Sequence, residues 1–227
     1  LDGWHVGYIR RLVSVPNTLV DVGVAGGTEV LYRSFPGAHH VLIEPLTEFE
    51  ADLRRILTRY RGEYHLTALA DEPGTATIQV DLKRLERSSL RERAEPEKPE
   101  GLVSSRIVPV TTLDALLQAH KWVPPFGLKL DTEGSEDAVI RGAREFLRHT
   151  QFVIAEVPVA DRFRGGYTFA DFIGLMDERG FRVCDFLEVG RNSDFDTSFA
   201  DMVFRRADPL EGDPAAGGTP NQGARRA

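Results

Sequence analysis

Three observations predict an α/β fold with a mostly parallel sheet, helices on both faces and an antiparallel strand at its edge. The stretch Val20–Glu44 reads as strand, glycine turn, short helix, strand and terminal acid, which is half of a nucleotide-binding unit. Strand-length apolar runs then alternate with helical stripes along most of the chain. Acidic residues recur where those strands end.

The first strand, Leu19–Val24, is interrupted by Asp21 and runs into Gly23, Gly26 and Gly27, and a helix opens at Thr28. The glycines are expected to let a ligand lie against bare backbone. The second strand, Val41–Ile43, ends at Glu44, where a carboxylate can accept both hydroxyls of a ribose. A dinucleotide site wants G-x-G-x-x-G; counted from Gly23 the sequence gives Gly23, Ala25 and Thr28. Asp21 is ill placed beside a diphosphate but suits a cationic ligand. S-adenosylmethionine (SAM) carries a sulfonium, an ammonium and a ribose diol without a phosphate, so a SAM site is favoured over a dinucleotide site. An ordinary strand-turn-helix with a buried turn is the plainer alternative.

Ahead of this unit, Trp4–Val13 has a helical stripe of Trp4, Tyr8, Leu12 and Val13. After it, Thr47 and Glu50 have capping-box spacing before the stripe Phe49, Leu53, Ile56, Leu57 and Tyr60. A third strand, Tyr64–Leu69, leads to Asp71, which either lies beside the adenine or caps the Pro73-Gly74 turn. Thr75–Val80 alternates as a strand. Lys83–Ser105 is dense in charge and lacks aromatic residues; it is a solvated loop or a lid that orders over ligand. Ser88, Ser89 and Leu90 are its uncharged cluster, which makes Ser89 a candidate cofactor contact.

Arg106–Val110 resumes a strand, and Thr111 or Thr112 caps a helix. Then FGLKLDTEGSEDAVIRGAREFL gives the strand Phe126–Leu130, the acids Asp131 and Glu133, and a helix with Ser135 at its cap. Phe152–Val157 ends near Glu156. Thr168 caps a helix that Gly180 closes. Phe181–Leu187 and Phe199–Arg205 form the antiparallel pair at the edge. One domain spans residues 1–206, and 207–227 reads as a disordered tail.

In an open parallel sheet, ligands bind beyond the carboxyl ends of the strands. That places Asp131 beside the methyl donor, with Asp131 or Glu133 as the general base for a hydroxyl acceptor. Alternatively, Asp131 and Glu156 share a Mg²⁺ ion that holds two sugar hydroxyls; each acid also has a plain structural role open to it. Arg162 and Arg164 either bind the phosphates of a nucleotide-linked sugar or face solvent. The histidines His39, His40, His65, His120 and His149 lack zinc-ligand spacing.

The totals narrow the classes further. The chain has 227 residues, 41% hydrophobic and 28% charged, enough for one cored domain. A net charge of −7 argues against a general nucleic-acid binder. The single cysteine, Cys184, excludes an internal disulfide and fits a reducing compartment. No apolar run nears the ~20 residues that span a bilayer, and no signal-peptide core is present, so a cytoplasmic protein without a membrane partner is expected. A homo-oligomer is compatible with the sequence.

VDVGVAGG, Ile43-Glu44-Pro45, ALADEPGTATI, TTLDALL and LKLDTEGSEDAVIRGA stand in that order. With them, the chain resembles the FkbM family of SAM-dependent methyltransferases from about Leu19 to Phe204. The resemblance implies a Rossmann-like class I methyltransferase fold with strand order 3-2-1-4-5-7-6. It also implies O-methylation, often of sugars or natural products. Carried onto this chain, Asp21, Gly23 and Glu44 hold SAM, Asp71 lies by the adenine and Asp131 borders the reaction centre. The family's turn often reads DVGANxG, and Ala25 stands here where that asparagine is found. The expected activity is O-methyl transfer to a hydroxyl of a sugar or glycosylated small molecule. An NAD-type oxidoreductase and a non-catalytic SAM-binding domain are the alternatives; loss of turnover with retained SAM binding after Asp131→Ala separates the last from an enzyme.

Overall fold

The computed structural model describes residues 4–94 and 102–208. In chain order its strands are β1 (Thr18–Val22), β2 (His39–Ile43), β3 (Gly62–His65), β4 (Ala68–Leu69), β5 (Gly74–Asp81), β6 (Val103–Thr111), β7 (Phe126–Leu130), β8 (Thr150–Pro158), β9 (Phe181–Arg191) and β10 (Thr197–Arg206). Its helices are α1 (Val6–Leu12), α2 (Glu29–Ser34), α3 (Glu50–Leu57), α4 (Leu113–Ala119), α5 (Glu136–Arg141), α6 (Arg144–Arg148) and α7 (Phe169–Glu178).

Seven strands form one sheet in the order β3-β2-β1-β7-β8-β10-β9. Counted within that sheet, this is 3-2-1-4-5-7-6. All pairs are parallel except those of β10, which runs antiparallel between β8 and β9. The side-chain period of two sends alternate residues to opposite layers. Val20, Val41, Leu128 and Val153 join Leu113, Ile140, Phe146 and Phe172 from α4 to α7 on one face. Leu19, Leu42, Phe152 and Ile154 join Ile9, Leu31 and Leu53 from α1 to α3 on the other. Both faces are covered, so the central strands are buried and mostly apolar, with Asp21 of β1 and Lys129 of β7 as buried charges among them.

β1 pairs with β2 on one side and β7 on the other, Val22 standing beside both Ile43 and Leu130. The chain direction around the sheet reverses at β1. The carboxyl ends of β1, β2, β7 and β8 therefore converge, and the loops beyond them form a crevice.

The expected third strand divides. Glu63, Tyr64 and His65 pair with β2, whereas Ala68 and Leu69 pair with β6. A second sheet, β4-β6-β5, results, with its own core of Leu46, Ile78, Val80, Val108 and Val110. Val103–Ser105 belongs to β6 rather than to a loop. Three caps also resolve. Thr112 caps α4, accepting from the Ala115 amide. Thr168 and Asp171 form the capping box of α7. The Thr47–Glu50 box does not form, because a 3-10 turn over Thr47–Phe49 precedes α3 and Glu50 accepts from Arg54 and Tyr64 instead. The expected tail lies outside the described residues beyond Asp208.

A candidate donor cavity and acidic cluster at the strand ends

A cavity of about 300 Å³ opens at the convergence of β1, β2, β7 and β8. Its size fits a small-molecule site. Gly23, Ala25, Glu44, Asp131, Glu133 and Glu156 all line it. Leu46, Phe49, Ile78, Leu85 and Leu90 give it an apolar side.

Glu44 is buried, and backbone fixes both of its oxygens. Oε2 accepts from the Ala25 amide at 3.0 Å and Oε1 from the Leu46 amide at 2.9 Å. Burial raises its pKa, and the two amide hydrogen bonds oppose that rise. Each oxygen keeps a lone pair, so the carboxylate is oriented and still able to accept a diol.

The glycine turn is tighter than ligand access alone requires. A Cβ on Gly23, at φ +74, would stand 1.8 Å from the Asp131 carbonyl oxygen. A Cβ on Gly27, at φ +102, would meet Ile56 of α3. These two glycines thus serve close packing, while Gly26 faces open space. Ala25 itself holds φ +43, a left-handed conformation that asparagine and glycine tolerate better than alanine.

Asp21 is fully buried and does not line the cavity. It accepts from the Tyr32 hydroxyl at 2.5 Å and faces Lys129 Nζ at 3.4 Å. Lys129 also donates to the Gly23 carbonyl at 3.2 Å and to Asp131 Oδ2 at 3.3 Å. Burial pushes the ammonium's pKa down, but the Asp21 and Asp131 carboxylates overcome that and raise it. The negative charge expected to meet a cationic ligand is met instead by Lys129.

Carboxylate oxygens of Asp131, Glu133 and Glu156 lie within 4.8 Å of one another. Glu133 pairs with Arg93 at 2.8 Å and Arg162 at 3.2 Å. Arg162 also donates to Glu156 at 2.5 Å. Burial, together with the neighbouring acids, raises the pKa of Glu133 and, more strongly, that of Glu156. Asp131 is the accessible member, its side chain 38% exposed. Next to Glu156 across the sheet stands Asp201, which accepts from Trp4 Nε1 at 2.8 Å. Burial pushes its pKa up to about 6.

Three hard oxygen donors at this spacing suit Mg²⁺ in kind. Their charge is already taken up by Lys129, Arg93 and Arg162, the last with its side chain 7% exposed. A divalent ion would enter beside three cations and have to displace buried ion pairs. The residues do not fit the expected Asp131–Glu156 magnesium site.

Two further expectations need correcting. Asp71 is exposed, on the turn after β4, and does not line the cavity, although Thr67, Ala68 and Leu69 just before it do. Ser89 is buried but does not line the cavity either. Its hydroxyl donates to the Glu133 carbonyl at 2.6 Å, while Ser88 and Leu90 on either side reach the cavity wall. Of the expected lid, residues 83–94 are docked in this way and Val103–Ser105 belong to β6; residues 95–101 lie outside the described set. Arg162 is buried in ion pairs rather than open to a phosphate, and Arg164 is exposed beside Glu92.

The family model described as the methyltransferase FkbM domain matches residues 21–183. The chain belongs to this family. Two solved structures show the same fold. One is a methyltransferase FkbM from Methylobacillus flagellatus KT, at 16% identity and a TM-score of 0.50, covering 83% of this chain and 43% of that one. The chain thus spans less than half the length of that relative. The other is a putative O-methyltransferase from Klebsiella pneumoniae, at 12% identity and a TM-score of 0.50, covering 90% of this chain and 80% of that one. No curated protein matches the chain in sequence.

The FkbM match takes in the glycine turn, Glu44, the acidic cluster and the arginines that hold it. Sequence reasoning missed Lys129, Arg93 and Asp201. Lys129 carried a signal: a lysine inside the apolar run FGLKL is costly unless it is paired. Arg93 carried none, being one charge among many in its segment.

Proposed function

We propose that the protein is a SAM-dependent O-methyltransferase acting on a hydroxyl of a sugar or glycosylated natural product. One observation carries the reading: Glu44, with both oxygens oriented by backbone amides, lines the same cavity as Asp131. A diol acceptor and a base at the two sides of one glycine turn suit a ribose-bearing donor and a proton-losing acceptor. The cavity's apolar side, with Leu46, Phe49 and Leu90, suits an adenine ring.

When bound, SAM supplies an electrophilic methyl group. Glu44 accepts from the ribose hydroxyls. Asp131, the most exposed of the three acids, would take the proton that the acceptor hydroxyl loses as its oxygen bonds to the methyl carbon and the carbon–sulfonium bond breaks, the thioether adenosylhomocysteine leaving. A base so placed contributes ~10²–10⁴-fold. Lys129 donates to both Asp131 and the Gly23 carbonyl, which ties the base to the donor turn. Glu133 is the poorer base, since Arg93 and Arg162 both hold its carboxylate. Its carboxylate pairs with the two buried arginines behind the cavity wall. Glu156 and Asp131 line the same cavity and supply polar groups of the kind that hydroxyl-rich acceptors use.

The test is to incubate the protein with labelled SAM and a panel of nucleotide sugars and glycosides, then weigh the products by mass spectrometry. Methyl transfer to a hydroxyl that is lost in Asp131→Asn, with adenosylhomocysteine affinity kept within a few-fold, supports the reading. Full turnover in that variant removes Asp131 from the mechanism. A nitrogen- or carbon-methylated product refutes O-transfer.

A further inference from the structure

We propose a second site, independent of the methyl-transfer reading: a divalent transition-metal site formed by Glu63, His65 and His120. Glu63 and His65 are two residues apart on β3, so both project from the same face of the strand. His120 follows α4 directly. The fold brings it across so that its Nδ1 lies 3.2 Å from Glu63 Oε1, while His65 Nε2 lies 3.3 Å from the same oxygen. All three residues offer ligand atoms within 4.8 Å of one another. Two donors, each ~2.0–2.1 Å from a tetrahedral zinc ion, stand about 3.3 Å apart. The observed separations match that spacing.

The surroundings also suit a metal. Trp122 Nε1 donates to Glu63 Oε1 at 2.7 Å, orienting the carboxylate as outer-shell partners do. The His120 ring stacks on Trp122, which limits its rotation. The three side chains are between 17% and 35% exposed, so an ion can enter and keep a water as fourth ligand. Two imidazoles and one carboxylate select zinc, cobalt or nickel over magnesium. The ligands come from positions 63, 65 and 120, too far apart in sequence for any spacing motif. The site lies on the β3 side of Glu44, whose amide donates to the His65 carbonyl. Bound metal would tie the edge strand β3 to the segment after α4.

The experiment uses chelator-treated, desalted protein and zinc chloride, with calorimetry and thermal melting as readouts. Wild type should take up one zinc ion per chain and melt at least ~3 °C higher with excess zinc. The double variant His65→Ala/His120→Ala should lose that binding by at least ~100-fold. Asp131→Asn should bind zinc as wild type does. If the double variant fails to fold, Glu63→Gln keeps the Trp122 hydrogen bond and removes the charged ligand, and it should weaken zinc binding. Cobalt should give the visible absorption of a tetrahedral site in wild type alone. Absence of zinc binding in wild type, or equal binding in the variants, overturns the proposal and leaves a hydrogen-bonded His-Glu-His cluster.

Discussion

Lys129 Nζ stands 3.4 Å from Asp21 Oδ1 and 3.3 Å from Asp131 Oδ2, joining a buried carboxylate of β1 to the cavity acid at the end of β7. Removing the ammonium leaves Asp21 as an uncompensated buried charge, since Tyr32 reaches only its other oxygen. Lys129→Met should therefore destabilise the protein by ~3–5 kcal/mol in urea unfolding. The double variant Asp21→Asn/Lys129→Met should recover a large part of that loss. Additive losses in the double variant would show that the pair does not interact.

Asp201 makes stability depend on pH. Burial raises its folded pKa to about 6, above the ordinary carboxylate range of the unfolded chain. Between those two values the native state binds the extra proton, so stability falls as pH rises through the window. Asp201→Asn keeps an acceptor for Trp4 and removes the titration. Its stability relative to wild type should rise by ~1–3 kcal/mol from pH 4 to pH 8. Chemical unfolding at both pH values checks this; a constant difference contradicts it.

Ala25 holds a left-handed conformation at φ +43. Ala25→Gly and Ala25→Asn should each stabilise the fold by ~0.5–1.5 kcal/mol without loss of the amide bond to Glu44. Thermal melting reads the effect. Destabilisation by both variants would mean that the alanine methyl packs better than its backbone suits.

The acidic cluster should work without added metal. Its three carboxylates already face Lys129, Arg93 and Arg162. Chelator treatment should leave the methyl-transfer rate within about twofold, even if it strips an ion from the site at His65 and His120. A rate lost to chelator and restored by Mg²⁺ would show that an ion displaces those arginines.

Much of this was legible in the sequence because local pattern and fold agreed. The strand, glycine turn and acid of Val20–Glu44 and the block around Asp131 are contiguous, and parallel pairing alone brings their ends together. What stayed hidden depends on pairing at a distance. Tyr64–Leu69 reads as one strand, yet its second half leaves β2 and pairs with β6 in a second sheet. Asp21 reads as a charge seeking a cationic ligand until the register sets it beside Lys129 of the neighbouring strand. Ser89 sat in the right cluster, but the direction of each side chain in an extended segment is set by backbone contacts that composition does not encode.

The central claim is that Glu44 grips the ribose of an adenosyl cofactor. Titration calorimetry of adenosylhomocysteine into wild type and Glu44→Gln tests it most directly. Saturable binding to wild type should weaken about tenfold or more in the variant, as loss of a charged acceptor predicts. No heat with wild type, or equal affinity in the two proteins, would contradict it.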